Sequence, residues 1–222
     1  MNNETAIVHA WGPSPTFGQL MKEILDVLVS LPVFVVTPLL RPWHRRWGCT
    51  SAEARAAMPG DELVQGCQYV VTRGIDINAP PSAAWPWLVQ IGFGKAGYYS
   101  NDLLDNFGHP SATRIVQEFQ NVRVGDWVAM FTKVNDTTAF KVADITPPKH
   151  LVWLKPDSTW SWLLVPTSSG TRLITRIRIW YRWHKPGDAL FSLVLNEFGD
   201  FVMMRKMLRT LKQHVESSAH IA

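Results

Sequence analysis

Strict alternation of side chains late in the chain is the feature that most constrains its fold. From Thr171 to Trp183, one side of the alternation carries Leu173, Thr175, Ile177, Ile179, Tyr181 and Trp183, and the other carries Arg172, Arg176, Arg178 and Arg182. Because successive side chains of a strand point to opposite faces, this pattern predicts a long antiparallel β-strand with one buried and one wet face.

Earlier segments have the same period or are bounded by turn residues, and they predict further antiparallel strands. These segments are 68–78, 126–133, 138–145, 151–155 and 159–165. After the first of them, Ser82 is expected to cap a short helix that runs to Gln90, with Pro86 in its first turn.

The period changes to that of a helix after Pro186-Gly187-Asp188, and an apolar stripe continues to about Glu216. A helix of about 28 residues is about 42 Å long, enough to cross a whole sheet. The predicted class is therefore α+β: a curved antiparallel sheet wrapped around a long C-terminal helix, with an internal hydrophobic cavity between them.

Composition limits the alternatives. The chain has 222 residues, of which 46% are hydrophobic and 18% charged, and this is typical of a globular domain. The formal net charge is +4, but the basic residues form no dense run, so a nucleic-acid partner is not expected. Cys49 and Cys67 are too few for a disulfide framework, and the N-terminus lacks the features of a signal peptide. We therefore expect reduced thiols and a cytoplasmic location.

We expect the chain to consist of two parts. Residues 1–47 form an amphipathic and apolar N-terminal extension, and residues 48–222 form the main domain. Residues 17–31 have the apolar spacing of a helix, and the uncharged run 27–40 contains Pro32 and Pro38. This run is expected to be too short and too broken by proline to cross a bilayer. We favour packing against the protein's own body, because isolated apolar segments in soluble chains are more often core. Peripheral contact of residues 17–47 with a membrane is the alternative.

Several short motifs together resemble the helix-grip superfamily that includes START lipid-transfer domains, birch-allergen-like proteins and polyketide aromatase/cyclases, often labelled SRPBCC. The motifs are Trp47-Gly48-Cys49-Thr50 with Glu53, Pro59-Gly60-Asp61-Glu62-Leu63, Trp85-Pro86-Trp87-Leu88-Val89-Gln90-Ile91-Gly92, Gly97-Tyr98-Tyr99-Ser100 with Asp102, Asp105-Asn106, Glu118 with Gln120, Val124-Gly125-Asp126 and the segment 203–208. The resemblance covers about residues 43–216 and is closest to a poorly characterised branch. It implies a helix-grip fold with a hydrophobic pocket, a fold that hosts carriers, cyclases, dehydratases and isomerases.

Residues 80–108 are the best candidate for a functional site, because a tryptophan-rich helix leads directly into a loop of phenols, carboxylates and amides. The catalytic candidates are Tyr98, Tyr99, Asp102, Asn106, His109 and Glu118. Tyr99 is predicted to polarise a carbonyl and Asp102 to accept or relay a proton. The alternative is structural: Asp102 caps a turn, Asp105-Asn106 ends a helix and His109 is exposed.

The substrate-binding candidates are the large side chains expected to converge on the cavity. They are Trp87, Gln90, Ile91, Phe131, Trp153, Trp162, Ile177, Tyr181 and Phe198. No cofactor is predicted, since the glycine motif at 92–97 leaves a helix where a dinucleotide site must leave a strand. The histidines lack metal-ligand spacing, so no metal is predicted.

Two functions remain open at this point. The first is a cofactor-independent enzyme that acts on a hydrophobic carbonyl compound, polyketide-like or related, by cyclisation, dehydration or isomerisation. The second is a non-catalytic carrier of a hydrophobic metabolite or lipid. Membrane association of a cytoplasmic protein is compatible with both.

Overall fold

The computed structural model describes residues 6–181, 183–184 and 186–219. Residues 1–5 of the predicted extension and Arg182 of the predicted last strand lie outside these ranges. The strands are β1 Ala6–Ile7, β2 Tyr69–Ile77, β3 Trp127–Ala129, β4 Lys133–Val134, β5 Ala139–Thr146, β6 His150–Lys155, β7 Ser158–Thr167 and β8 Gly170–Ile179. Six of them form an antiparallel sheet in the order β2-β8-β7-β6-β5-β3, and β1 pairs with β4.

The last strand of the chain, β8, lies beside β2 in the sheet. β2 pairs with β8 along its whole length, from Tyr69 opposite Ile179 to Ile77 opposite Thr171. β8 pairs on its other side with β7 through the tight turn that places Thr167 opposite Gly170. The alternation that predicted β8 therefore places Leu173, Thr175 and Ile177 on one face, and they are buried there.

A long helical segment covers that buried face. It comprises α6 Pro186–Val194, a π-helix Leu195–Gly199 and α7 Asp200–Ala219. Side chains of α7 join one core with the sheet and with helix α4, Pro81–Val89. The α7 members of this core are Met204, Met207, Leu208, Leu211 and Val215. The predicted α+β class, an antiparallel sheet with a long C-terminal helix packed on it, is confirmed.

The opposite face of the sheet is not wet where its arginines lie, and this corrects the sequence prediction. The segment that contains helix α3, Ser51–Arg55, lies across it. Arg172 pairs with Glu53 at 2.8 Å, and Arg176, only 4% exposed, pairs with Asp61 at 2.5 Å. Arginines can be buried when carboxylates and carbonyls occupy their donors, and a period-two pattern contains no information about such partners.

The N-terminal helix also differs from its prediction. Helix α1, Phe17–Val36, is followed without a break by a 3₁₀ turn, Thr37–Leu40, and helix α2, Arg41–His44. Pro32 lies inside α1, so the expected break is wrong; proline removes one backbone hydrogen bond, and the helix continues on both sides of it. By length and composition alone, 17–44 could cross a membrane: the mean hydropathy of its apolar 18-residue window is 2.0, and 6% of that window is buried.

Smaller differences concern the ends of elements. The predicted strand 126–133 is split into β3 and β4, and the predicted last strand ends at Ile179. Pro80, not Ser82, is the N-cap of α4. The 3₁₀ helix Gln117–Phe119 was not predicted. The short helix α5, Asp102–Asp105, ends where the structural alternative placed a helix end, at Asp105-Asn106.

Candidate functional site

The predicted loop folds against α4 and presents its two tyrosines inward. Tyr99 has a positive φ of 56°, which is unusual for a residue with a side chain and costs about 1–3 kcal/mol. Its backbone N–H donates to the Ser111 hydroxyl at 3.1 Å. This conformation places the Tyr99 ring edge-on to Trp87, at 6.0 Å between centroids, and to His214 of α7, at 5.7 Å.

The phenols of the loop are engaged in hydrogen bonds inside the protein. Tyr98 donates its hydroxyl proton to the Ala129 carbonyl at 2.8 Å, and the Tyr99 oxygen accepts from Gln90 Nε2 at 2.6 Å. Burial raises the pKa of both phenols, so both are protonated at neutral pH. The Gln90 amide oxygen accepts from Val116 N and Gln120 Nε2, so Gln90 holds the loop together.

Asp102 is fixed by the other end of the same loop. Its carboxylate accepts from the Ser111 backbone N–H at 3.0 Å and from the Ser111 hydroxyl at 2.5 Å. Burial raises the pKa of Asp102, although the two Ser111 hydrogen bonds oppose that shift. This geometry matches the structural alternative, in which Asp102 closes a turn.

Asp105, one helical turn away, is the more perturbed carboxyl group. Both of its carboxyl oxygens are buried. Burial, followed by the neighbouring Asp102 carboxylate, raises the pKa of Asp105 well above its ordinary value. Glu23 of α1 raises it further, whereas Lys206 of α7 lowers it. A pocket of about 110 Å³ next to this cluster is lined by residues that include Ser100, Asn101 and Lys206.

The remaining catalytic candidates do not join this cluster. Asn106 is buried, and its amide donates to the His109 carbonyl at 2.7 Å, which closes the end of α5. The His109 ring lies against the Pro13 carbonyl at 3.1 Å. Glu118 is exposed on its 3₁₀ helix. Of the six catalytic candidates, the structure therefore brings Tyr99 and Asp102 together through Ser111 and places the others in separate roles.

Most predicted lining residues lie in the core between the sheet and α7. Trp153 and Trp162 pack on each other, with centroids 5.7 Å apart, and Ile91 and Ile177 are buried with them. Tyr181 is also buried, but Phe131 and Phe198 are 48% and 40% exposed and do not join this group. The gap at the Leu164, Leu173 and Leu211 end of the core is about 10 Å³, room for about one water molecule.

A larger apolar pocket, of about 260 Å³, lies where the N-terminal helices meet α7. It is lined by Pro32, Val33, Val36, Thr37, Leu40, Trp43, His44 and Phe201. The Thr37 hydroxyl donates a hydrogen bond to the Val33 carbonyl at 2.6 Å. His44 is thus the one titratable group among the described lining residues.

The His44 imidazole is fully buried, and neither ring nitrogen has a hydrogen-bond partner among the described residues. Its ring lies 5.7 Å from the Phe201 ring. Burial, helped by the Arg73 guanidinium, lowers the pKa of His44 to about 4. The ring is therefore neutral at pH 7, with one N–H donor and one acceptor nitrogen unused.

A buried polar network lies behind His44. Arg73, 1% exposed in its side chain, forms an ion pair with Asp200 at 2.6 Å and donates to the His44 carbonyl at 2.9 Å. The Tyr69 hydroxyl donates toward Asp200 Oδ2 and the Asn196 carbonyl, each at 2.9 Å. The π-helix that supplies Asn196 is a local irregularity of a kind often found at functional sites.

Comparisons with known proteins identify relatives in structure alone. No protein-family model and no curated protein sequence matches the chain. A polyketide-cyclase-like protein of Corynebacterium glutamicum is 13% identical, with 67% of this chain and 92% of that chain covered and a TM-score of 0.43. An AHSA1-like protein of Aeromonas hydrophila is 13% identical over 68% and 94%, with a TM-score of 0.36. A protein of Nitrosomonas europaea is 19% identical over 67% and 95%, with a TM-score of 0.42.

The sheet order and the helix that covers it decide the architecture. The chain has a helix-grip architecture. At these identities and TM-scores, the likeness to solved structures concerns the architecture and does not extend to substrate or reaction.

The sequence contained one signal for the His44 region of this helix-grip protein. Arg73 lies in the alternation that buries Tyr69, Val71 and Ile77, and an arginine on a buried face requires a partner. Asp200 is that partner, but it comes from a helix more than a hundred residues later. No sequence pattern indicated that His44 would be enclosed. Among the described residues, no group of three His, Cys, Asp or Glu side chains could hold a metal ion.

Proposed function

We propose that this helix-grip protein binds a small, uncharged, mainly apolar molecule in the pocket beside His44. The observation that supports this proposal is a buried imidazole with both nitrogens unused, in a wall that is otherwise apolar. Because the ring is fully buried, a side-chain movement in this wall must expose it to the ligand. An unpaired buried polar group costs about 1–3 kcal/mol, and a ligand hydroxyl or carbonyl that bonds to one ring nitrogen would remove that cost for this nitrogen. The carrier hypothesis therefore has more support than the enzyme hypothesis.

The pocket dimensions restrict the ligand. At about 260 Å³ the pocket is slightly smaller than the usual ligand pockets of about 300–1,000 Å³. Val36, Leu40 and Trp43 are each about half exposed at its rim, so a longer chain can extend past them. Because His44 is neutral at pH 7, it suits a hydroxyl or carbonyl group better than a carboxylate.

Ligand titration with decanol and decane tests this proposal. We expect the wild-type protein to bind decanol more tightly than decane, and mass spectrometry of the purified protein to detect a retained apolar compound. In the Val36→Trp variant the new ring fills the pocket, so decanol affinity should fall at least about tenfold. The matched control is Leu39→Trp in the following 3₁₀ turn, because Leu39 is 81% exposed and does not line the pocket.

A second variant separates the polar contact from the apolar one. His44→Phe keeps a ring of similar shape but removes both nitrogens, so the preference for decanol over decane should disappear while decane binding persists. Equal decanol binding by wild type, Val36→Trp and His44→Phe would refute the proposed site.

The enzyme hypothesis keeps one specific observation in its favour, the raised pKa of Asp105. A carboxyl group whose pKa is raised by burial is better suited to act as a general acid, and beside Lys206 and Asp102 it could take part in cyclisation, dehydration or isomerisation of a carbonyl compound. The test is catalysed exchange of the acidic protons of a hydrophobic 1,3-diketone with deuterated water. Exchange that Asp105→Asn abolishes would favour this enzyme function, and exchange equal to the buffer rate would refute it.

A further inference from the structure

Helix α1 directs acidic side chains toward the protein and apolar side chains toward solvent, the reverse of an ordinary surface helix. Its acidic residues point toward the protein: Asp26 pairs with Lys206 of α7 at 3.1 Å and Glu23 with the same lysine at 3.6 Å. Glu23 is only 13% exposed in its side chain. A surface helix ordinarily buries its apolar stripe and exposes its charges. In this protein, two acidic side chains of α1 help to hold it to the domain.

The face of α1–α2 that points to solvent is apolar. Its members lie along α1, the 3₁₀ turn and α2, mostly three or four residues apart, and all are exposed. They are Phe17, Met21, Leu25, Leu28, Val29, Val35, Leu39 and Trp43, here called the outer stripe. Phe17 and Leu39 are about four-fifths exposed, at 79% and 81%. Contiguous exposed apolar surface on this scale marks an interaction site.

A neighbouring helical segment extends the apolar surface. The π-helix contacts both α1 and the 3₁₀ turn. On α6 and this π-helix, Leu190, Val194 and Phe198 follow one another at four-residue spacing, and all three are exposed, by 59%, 48% and 40%. The apolar surface therefore involves two adjacent helical segments.

Basic side chains lie at the C-terminal end of the outer stripe. A shallow pocket of about 320 Å³ is lined there by Pro42, Arg45, Arg46, Ser51, Ala54, Arg55, Val70 and Thr72. Arg45 is paired with Glu197 at 3.2 Å. Arg46, by contrast, donates to the Pro42 carbonyl and the Ser51 hydroxyl, which are both neutral. Positive charge beside Trp43 and the apolar surface complements phosphate groups at the level where tryptophan prefers to lie in a bilayer.

We propose that the outer stripe docks this protein in the plane of an anionic phospholipid bilayer, with Arg46 and Arg55 at the headgroups. Docking flat leaves the Asp26–Lys206 and Glu23–Lys206 pairs intact, whereas a spanning orientation would pull α1 off α7 and break them. An interfacial helix with one apolar face needs no such rearrangement. The inference goes beyond the proposed ligand binding and does not depend on it.

Co-sedimentation of the full chain with vesicles tests the docking surface. We expect the wild-type protein to bind vesicles of phosphatidylcholine mixed with phosphatidylglycerol, more weakly at high salt, and to bind phosphatidylcholine alone less well. The double variant Val29→Glu/Leu39→Glu should reduce the partition coefficient about tenfold or more. Its matched control is Val124→Glu/Val165→Glu, because both valines are exposed, by 62% and 39%, but lie outside the outer stripe.

A second variant tests the charge component. Arg46→Gln/Arg55→Gln should reduce binding to the anionic vesicles and leave binding to phosphatidylcholine alone unchanged. Added inorganic phosphate should compete no better than chloride at equal ionic strength, since the bilayer and not free phosphate is the partner. The docking proposal fails if the wild-type protein stays in the supernatant, if the stripe variant and its control sediment equally, or if protease protection shows the two ends of 17–44 on opposite sides of the bilayer.

Discussion

Replacement of Asp200 by asparagine should destabilise the protein strongly, because it leaves the Arg73 charge without a partner. Arg73 is 1% exposed in its side chain and 2.6 Å from Asp200, which is 10% exposed. Removing one member of a buried ion pair typically costs about 3–5 kcal/mol. Asparagine keeps the size of the side chain and an acceptor for the Tyr69 hydroxyl, so the lower value, about 3 kcal/mol, is expected.

The change can be measured by urea unfolding followed through tryptophan fluorescence, and by thermal melting. For a chain of this size, about 3 kcal/mol corresponds to a fall in Tm of about 6–12 °C. The control is Asp136→Asn, which breaks an exposed pair with Lys141 at 3.5 Å, where both side chains are 48% exposed. That variant should change the free energy of unfolding by less than about 1 kcal/mol.

A compensated variant checks the reasoning from the other side. Arg73→Met/Asp200→Leu removes both charges, and it should be more stable than Asp200→Asn because no buried charge is left unpaired. If the free energy of unfolding of Asp200→Asn lies within about 0.5 kcal/mol of the wild-type value, the Arg73 charge does not depend on Asp200 for its stability in the core.

Three further predictions concern titratable groups. The pKa of His44 is lowered to about 4 in the folded state, from 6.5, so between these pH values the unfolded chain binds a proton that the folded chain does not. The free energy of unfolding should therefore fall as pH drops from about 6.5 to 4, and the stability profiles of wild type and His44→Phe should diverge in this window. Hydrogen bonding from Arg172 lowers the pKa of Glu53 to about 2 from 4.5, so its contribution should be present above pH 4.5 and lost toward pH 2, and Glu53→Gln should flatten that part of an acid-unfolding curve. Asp102→Asn weakens acceptance of two Ser111 hydrogen bonds and should cost about 1–3 kcal/mol in urea unfolding; an unchanged midpoint would mean that the carboxylate does not hold the loop.

The sheet was predictable because its side chains alternate in burial. The pattern from Leu173 to Ile179 depends on a property of the strand itself, and it predicted β8, although the alternation continues past the end of the strand at Ile179. The split between β3 and β4 was not predictable, because β4 pairs with the short strand Ala6–Ile7 and not with the main sheet. The arginine face appeared wet because the sequence does not reveal that α3 lies across it.

The candidate site was predictable only in part, for the same physical reason. The burial of Tyr98 and Tyr99 could be inferred from the apolar helix before them, but the partners of their hydroxyls, the Ala129 carbonyl and Gln90, are set by tertiary contacts. His44 was not selected, because its enclosure depends on Phe201 from the far end of the chain. The position of Arg73 on a buried face was the one local sign of this second region.

The most direct test of the proposed binding site is the imidazole ¹⁵N spectrum of His44 during titration with decanol. The site predicts a saturable shift of the His44 ring nitrogen to which the decanol hydroxyl bonds, while the nitrogens of His150 on strand β6 stay unchanged. Saturable decanol binding without any change at His44, or with changes centred on Asp102 and Asp105, would contradict the proposed binding site.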